Sequence, residues 1–156
     1  MSLTDAQYTT LANHIRANTD PDVVAALAIR NDTELARLYN LDSATDVWKP
    51  EVTPEEYRAN MVWTEVDQLT AGASRIWEWI TSNMTLPFDA SDFNVRQGLT
   101  DVFGQNTTTR TQLLAVSKRF ASVYEDIFAT GTGTKNLEVV GPVTIKIIGK
   151  ALNSNP

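Results

Sequence analysis

Cysteine is absent from the 156-residue chain, and histidine occurs once. The missing cysteine excludes disulfides, thiolate nucleophiles, zinc fingers and iron–sulfur ligation. It also frees the fold from any need for an oxidising compartment, which fits synthesis in a cytoplasm. No apolar run approaches the ~20 residues that a membrane-spanning helix needs. The opening stretch, MSLTDAQYTT, lacks a basic region followed by an apolar core, so no signal peptide is expected there. Basic clusters are missing as well. Thirteen Lys and Arg stand against 19 Asp and Glu, a net charge of −6, and the densest basic sites are Lys118-Arg119 and Lys146 with Lys150. Gripping nucleic acid takes several phosphate contacts from one positive surface, which this distribution does not offer.

What is present is the composition of a folded domain. Apolar residues at 42% and charged residues at 21% lie near the globular average, so disorder is not expected over most of the chain. A chain of this length buries roughly 70% of its unfolded surface.

Helix signals dominate. Thr4 and Gln7 have capping-box spacing, and Tyr8, Leu11, Ala12 and Ile15 follow at helical intervals, predicting a helix over 5–17. Asp20-Pro21 is a cap followed by proline at the first helical position, and Asn31-Asp32 both ends that helix and caps the next. Residues 41–52 carry few helix signals. Thr53-Pro54-Glu55-Glu56 is a strong start. Val62, Val66, Leu69, Ala73, Ile76 and Ile80 then recur at alternating three and four, widened by Trp63 and Trp77, predicting a long amphipathic helix over 54–83 with a break near Asn60. Ser91 caps a helix over 92–103. Thr109 and Gln112 repeat the capping-box spacing, and Leu113, Val116, Phe120, Val123 and Ile127 predict a second long helix to 129. Its charges oppose the helix dipole, with Arg110 near the start and Glu125 and Asp126 near the end. The run from Ala129 to Thr134 reads as a flexible linker. Leu137–Val143 reads as a short strand, and Thr144 as the cap of a final helix bearing Ile145, Ile148 and Leu152, with strand an open alternative for Val143–Ile148.

The expected fold class is mainly α: a helical bundle with two long amphipathic helices, shorter helices and a small extended or helical C-terminal segment. One domain is expected overall, with residues 1–129 as the body and 130–156 as linker and C-terminal segment.

Catalytic chemistry finds no constellation. His14 has only Asp5 and Asp20 as nearby acids. Gly131-Thr132-Gly133-Thr134-Lys135 has the wrong spacing for a phosphate loop and follows a helix. Glu55-Glu56, Glu65 with Asp67, and Glu125-Asp126 are adjacent acids that point apart, whereas acid–base work needs carboxylates converging on one cleft. Asp89, Ser91 and Asp92 lack the glycine and distal glutamate of a calcium loop. No catalytic residue, metal ligand or cofactor is therefore assigned, and the chain is expected not to be an enzyme; a carboxylate-based hydrolase is the remote alternative. Interfaces favour Trp and Tyr. Trp63 and Trp77 flank one seam and read as core, while Trp48 and Trp79 are candidate protein contacts. Leu137, Val139, Val140, Ile145, Ile148 and Leu152 are further candidates, on a tethered segment suited to subunit contacts.

The segments DPDVVAALAIRNDTELARLYN, VWTEVDQLTAGASRIWEWITSNMTLPFDAS and TTTRTQLLAVSKRFASVYEDIFATGTGT together resemble a family of small virion structural proteins of tailed bacteriophages, over nearly the whole chain. The likeness is one of sequence texture and carries no active-site motif. It implies a head–tail connector, or neck adaptor: a subunit of a homo-oligomeric ring between portal and tail. Its expected partners are itself, the portal, and neck or tail proteins. DNA would pass through such a ring without specific binding, as an acidic chain suits, and no membrane is involved. A tail-completion, capsid-decorating or assembly-helper role is the alternative in the same setting.

Overall fold

The computed structural model describes residues 2–82, 87–104 and 107–154, the side chains of 79–82 excepted. The first three helices begin where their caps predict. Helix α1 (Asp5–Ala17) opens on a complete capping box, Gln7 N donating to Thr4 Oγ1 at 3.3 Å and Thr4 N to Gln7 Oε1 at 2.9 Å. Helix α2 (Pro21–Ala28) starts with Asp20 Oδ1 accepting from the amides of Asp22 and Val23. Helix α3 (Asp32–Tyr39) starts with Asn31 Oδ1 accepting from Glu34 N. The stretch read as a link contains strand β1 (Asp42–Trp48).

The predicted long helix over 54–83 is instead three helices: α4 (Pro54–Ala59), α5 (Trp63–Val66) and α6 (Ala71–Ser82). Its start is as expected, with a Thr53–Glu56 capping box. The breaks have local causes. Asn60 turns its amide back to Tyr57 O (3.0 Å) and its side chain to Glu56 O (2.7 Å), closing α4. Val62 N donates to Thr109 Oγ1 at 3.1 Å, not to a preceding helical carbonyl, and Thr70 Oγ1 accepts from Ala73 N as α6 begins. The three–four seam therefore never forms one face. Trp77 is buried while Trp63, two heptads earlier, is 59% exposed.

Helix α7 (Phe93–Phe103) is capped by Asp92, one residue beyond the expected Ser91. The second predicted long helix also breaks. Helix α8 (Thr108–Val116) is capped by Thr107, and the chain then becomes strand β2 (Lys118–Ser122) and the single turn α9 (Val123–Asp126). Ser122 and Glu125 form a third capping box. Glu125 and Asp126 thus sit in a first turn, where the dipole favours them. The Thr/Gly run is the loop of a β-hairpin, β3 (Ala129–Thr130) against β4 (Asn136–Leu137), with Ala129 opposite Leu137 and Thr130 opposite Asn136. Gly131 (φ 100°) and Gly133 (φ 69°) supply the left-handed backbone this loop requires. Helix α10 (Ile145–Asn153) begins at its expected cap, Thr144. Strands β1 and β2 pair in one two-stranded sheet, and β3 and β4 in another. The protein is mainly helical, and no described helix is long and apolar enough to cross a membrane.

The chain divides into two compact units, Met1–Thr45 with Phe120–Pro156, and Asp46–Arg119. The first unit packs Leu11, Ile15, Leu35 and Tyr39 of α1 and α3 with Tyr124, Val143 and Ile148. The expected tail therefore lies with the N-terminal helices: Val139, Val143, Ile148, Ala151 and Leu152 are all buried in that core. The second unit packs Val52, Tyr57 and Trp77 with Leu99, Val102, Phe103 and Leu113. An antiparallel bridge between Val52 and Phe88 ties its loop segments.

Candidate interaction surface

Trp48, singled out from the sequence, ends β1 as a half-buried side chain in the second unit. The backbone after it is held on both sides, Lys49 N donating to Ser117 O at 2.9 Å and Lys49 O accepting from Ala90 N at 3.0 Å. From α7, Arg96 donates through Nη1 to the carbonyls of Ala90 (2.6 Å) and Ser91 (2.7 Å), which fixes its guanidinium 4.6 Å from the Trp48 ring centroid. Lys118 of β2 brings its ammonium to 5.0 Å from the same ring. The same guanidinium lies 5.9 Å from Phe93, which is 64% exposed. Indole is the best of the protein aromatics for cation–π attraction, worth ~0.5–1 kcal/mol at exposed sites. The result is a pre-ordered aromatic–cation cluster on an acidic chain, two of whose members, Trp48 and Arg96, are residue types enriched in protein–protein hot spots. Trp63 and Ile76 add exposed apolar area on the same unit.

Phe93, Arg96, Lys118 and Trp63 were not among the candidates drawn from the sequence. The Phe93–Arg96 spacing of three on a helix was a legible signal. Lys118 was not, because the strand that delivers it lay inside a predicted helix. Trp79 belongs to α6, and its side chain lies outside the described residues. Of the C-terminal candidates, Val140 and Ile145 are exposed and Leu137 is half-buried. Val139, Ile148 and Leu152 are core residues of the first unit, so their apolar surface is already used within the chain.

The groups weighed for chemistry have structural employment. His14 Nδ1 lies 2.9 Å from the Tyr39 hydroxyl, which also accepts from Asn18 Nδ2. Glu56 completes its capping box and pairs with Lys49 Nζ at 2.8 Å; those hydrogen bonds hold its carboxyl below the usual carboxylate range. Glu65 reaches across to the start of α8, accepting from Thr108 N (2.9 Å) and Thr109 N (2.7 Å), and the Thr109 and Thr108 donors lower its pKa. Its charge also offsets Arg110 at that helix start. Glu125 is 3% exposed and accepts from Ser122 N and Gly141 N. Asp126 accepts from Thr45 Oγ1 and pairs with Lys135 Nζ, the lysine of the apparent phosphate loop. Among the described residues no three His, Asp or Glu side chains gather in a metal-binding group.

No protein-family model, no curated protein and no solved structure matches this chain.

Proposed function

We propose that the protein is a structural virion component of a tailed bacteriophage, a head–tail adaptor subunit that assembles as a ring between portal and tail. The observation that carries a contact role is the ordered Phe93–Arg96–Trp48–Lys118 cluster, in which the exposed Phe93 adjoins half-buried Arg96 and Trp48, residue types enriched in binding hot spots. The phage setting is supported by the resemblance of residues 20–40, 62–91 and 107–134. Under this reading the protein acts by docking and performs no catalysis, and the cationic cluster meets an acidic or carbonyl-rich surface of a neighbouring subunit. Locating the chain in purified virions by mass spectrometry and electron microscopy tests the setting, and its absence from them would sink the reading. Phe93→Asp tests the surface: it should abolish capture of the portal or of sister subunits while leaving the thermal transition in place, since Phe93 is exposed.

A further inference from the structure

Tyr8 and Tyr124 are 5% and 2% exposed, and neither hydroxyl has a hydrogen-bond partner among the described residues. Every fully buried side-chain polar atom described does have one, so these two hydroxyls reach solvent. Both residues line one cavity of the first unit, about 360 Å³ in volume. Its apolar wall is aliphatic, from Leu3, Val139, Val140 and Ile147, and its remaining polar lining includes Thr144 and Lys146 at the start of α10. No carboxylate lines it. Glu125, beside Tyr124 in sequence, is turned to the amides of Ser122 and Gly141. Burial pushes the Tyr124 hydroxyl up to about 12, with Tyr8 and Glu125 adding to the shift, so it stays protonated and able to donate. Tyr8 is held from its face by Lys150, whose ammonium lies 4.1 Å from the ring centroid. The start of a helix adds partial positive charge. The cavity is thus a donor-rich, acid-free hollow with aliphatic walls, in a chain of net charge −6. Its volume lies at the small end of the ~300–1,000 Å³ range of ligand pockets, too small for a dinucleotide and suited to one chain.

We propose that this cavity binds an aliphatic monocarboxylate, the chain lying along Leu3, Val139, Val140 and Ile147 and the carboxylate taking donors from Tyr8, Tyr124, Thr144 and Lys146. The inference is independent of the adaptor reading, because it rests on the first unit alone. Calorimetric titration of the full chain with hexanoate, octanoate and decanoate tests it. Affinity should rise about fourfold per added methylene until the chain fills the hollow, and decanol and decyltrimethylammonium should bind at least about tenfold more weakly than decanoate, for want of a charge-assisted hydrogen bond. Lys146→Gln, a surface change that leaves the core intact, should weaken decanoate about tenfold and leave decanol unchanged; Tyr124→Phe should weaken decanoate severalfold. In amide NMR spectra the shifts should cluster at Leu3, Tyr8, Val139, Val140 and Ile147. Absence of binding by all three acids would overturn the proposal. So would equal binding of the alcohol or the ammonium, or shifts confined to residues 46–119.

Discussion

The two units solve the same problem by opposite routes. The first is closed by residues from both ends of the chain: Asn40 clasps the backbone of Val143 through both its amide groups (2.9 and 2.8 Å), Arg16 donates to Leu152 O, and Glu125 accepts from Gly141 N. The second is one uninterrupted stretch, Asp46–Arg119, whose ties include Glu65 on the start of α8 and Tyr57 on Ser117. The first unit uses most of its C-terminal apolar side chains in its own core, and both units expose large apolar side chains, Ile29, Phe120 and Ile145 among them in the first and Trp63, Ile76 and Phe93 in the second. The chain-closing segment lies in the first unit, and the Trp48–Arg96–Lys118 cluster lies in the continuous second unit. The chain supplies its own probes for this contrast. All four tryptophans, Trp48, Trp63, Trp77 and Trp79, lie in the second unit, whereas Tyr8, Tyr39 and Tyr124 lie in the first.

Removing residues 130–156 gives the largest expected effect. It strips Val139, Val143, Ile148 and Leu152 from the first core, at ~1.5–3 kcal/mol each, a total above the ~5 kcal/mol that bounds the stability of small domains from below. Hydrogen exchange should show α1–α3 losing protection while α7 and α8 keep theirs and tryptophan emission is unchanged. Protected α1–α3 amides in the truncated chain would make the C-terminal segment a true appendage and end the contrast.

Glu125→Ala comes next. It leaves the half-buried amides of Ser122 and Gly141 without their acceptor, at a cost of ~1–3 kcal/mol. Urea unfolding followed by tyrosine-region circular dichroism should move to lower denaturant, with the tryptophan transition holding its place. A joint shift of both signals would instead mean that the units unfold as one.

A smaller loss should come from Tyr57→Phe in the second unit. Ser117 Oγ gives its hydrogen to Leu113 O at 2.7 Å, so the buried Tyr57 hydroxyl, 2.9 Å away, is the donor of that pair. Deleting it should lower stability by about 1 kcal/mol, read from the tryptophan signal.

Acid sharpens the comparison with the smallest effect. Glu56 and Glu65 have folded-state pKa values below their ordinary 4.5, so each stabilises the fold fully above that value. The contribution is lost as pH falls through the lowered pKa. The tryptophan-detected midpoint should therefore decline below about pH 4.5, and Glu65→Gln should flatten part of that decline. Glu34 of the first unit, in an exposed pair with Arg37, should contribute no measurable slope; its Glu34→Gln variant should titrate like the parent.

Legibility in the sequence followed the range of the interactions. The Thr4–Gln7 and Thr53–Glu56 boxes, the Asp20-Pro21 start and the Thr144 cap all act within three or four residues, and each helix they open begins where expected. Ser122-x-x-Glu125 was equally local but lay inside an apolar three–four repeat that read as continuous helix. The hydrophobic repeat itself misled, because spacing along the chain cannot register that Val62 N is taken by Thr109, a residue far away in sequence. Trp48 was noticed for its type alone; what surrounds it, Arg96 and Lys118, depended on a strand pairing that no local pattern announced.

By itself, then, the sequence determined the mainly helical character, the helix starts, and the exclusion of cysteine chemistry, since composition and capping need nothing beyond near neighbours. Only the tertiary structure decided that two apparent long helices break, that residues 130–156 complete a core with α1–α3, and that Tyr8 and Tyr124 turn toward one hollow. Each of these depends on which distant group satisfies a backbone amide or covers an apolar face, and that choice is made when the chain closes on itself.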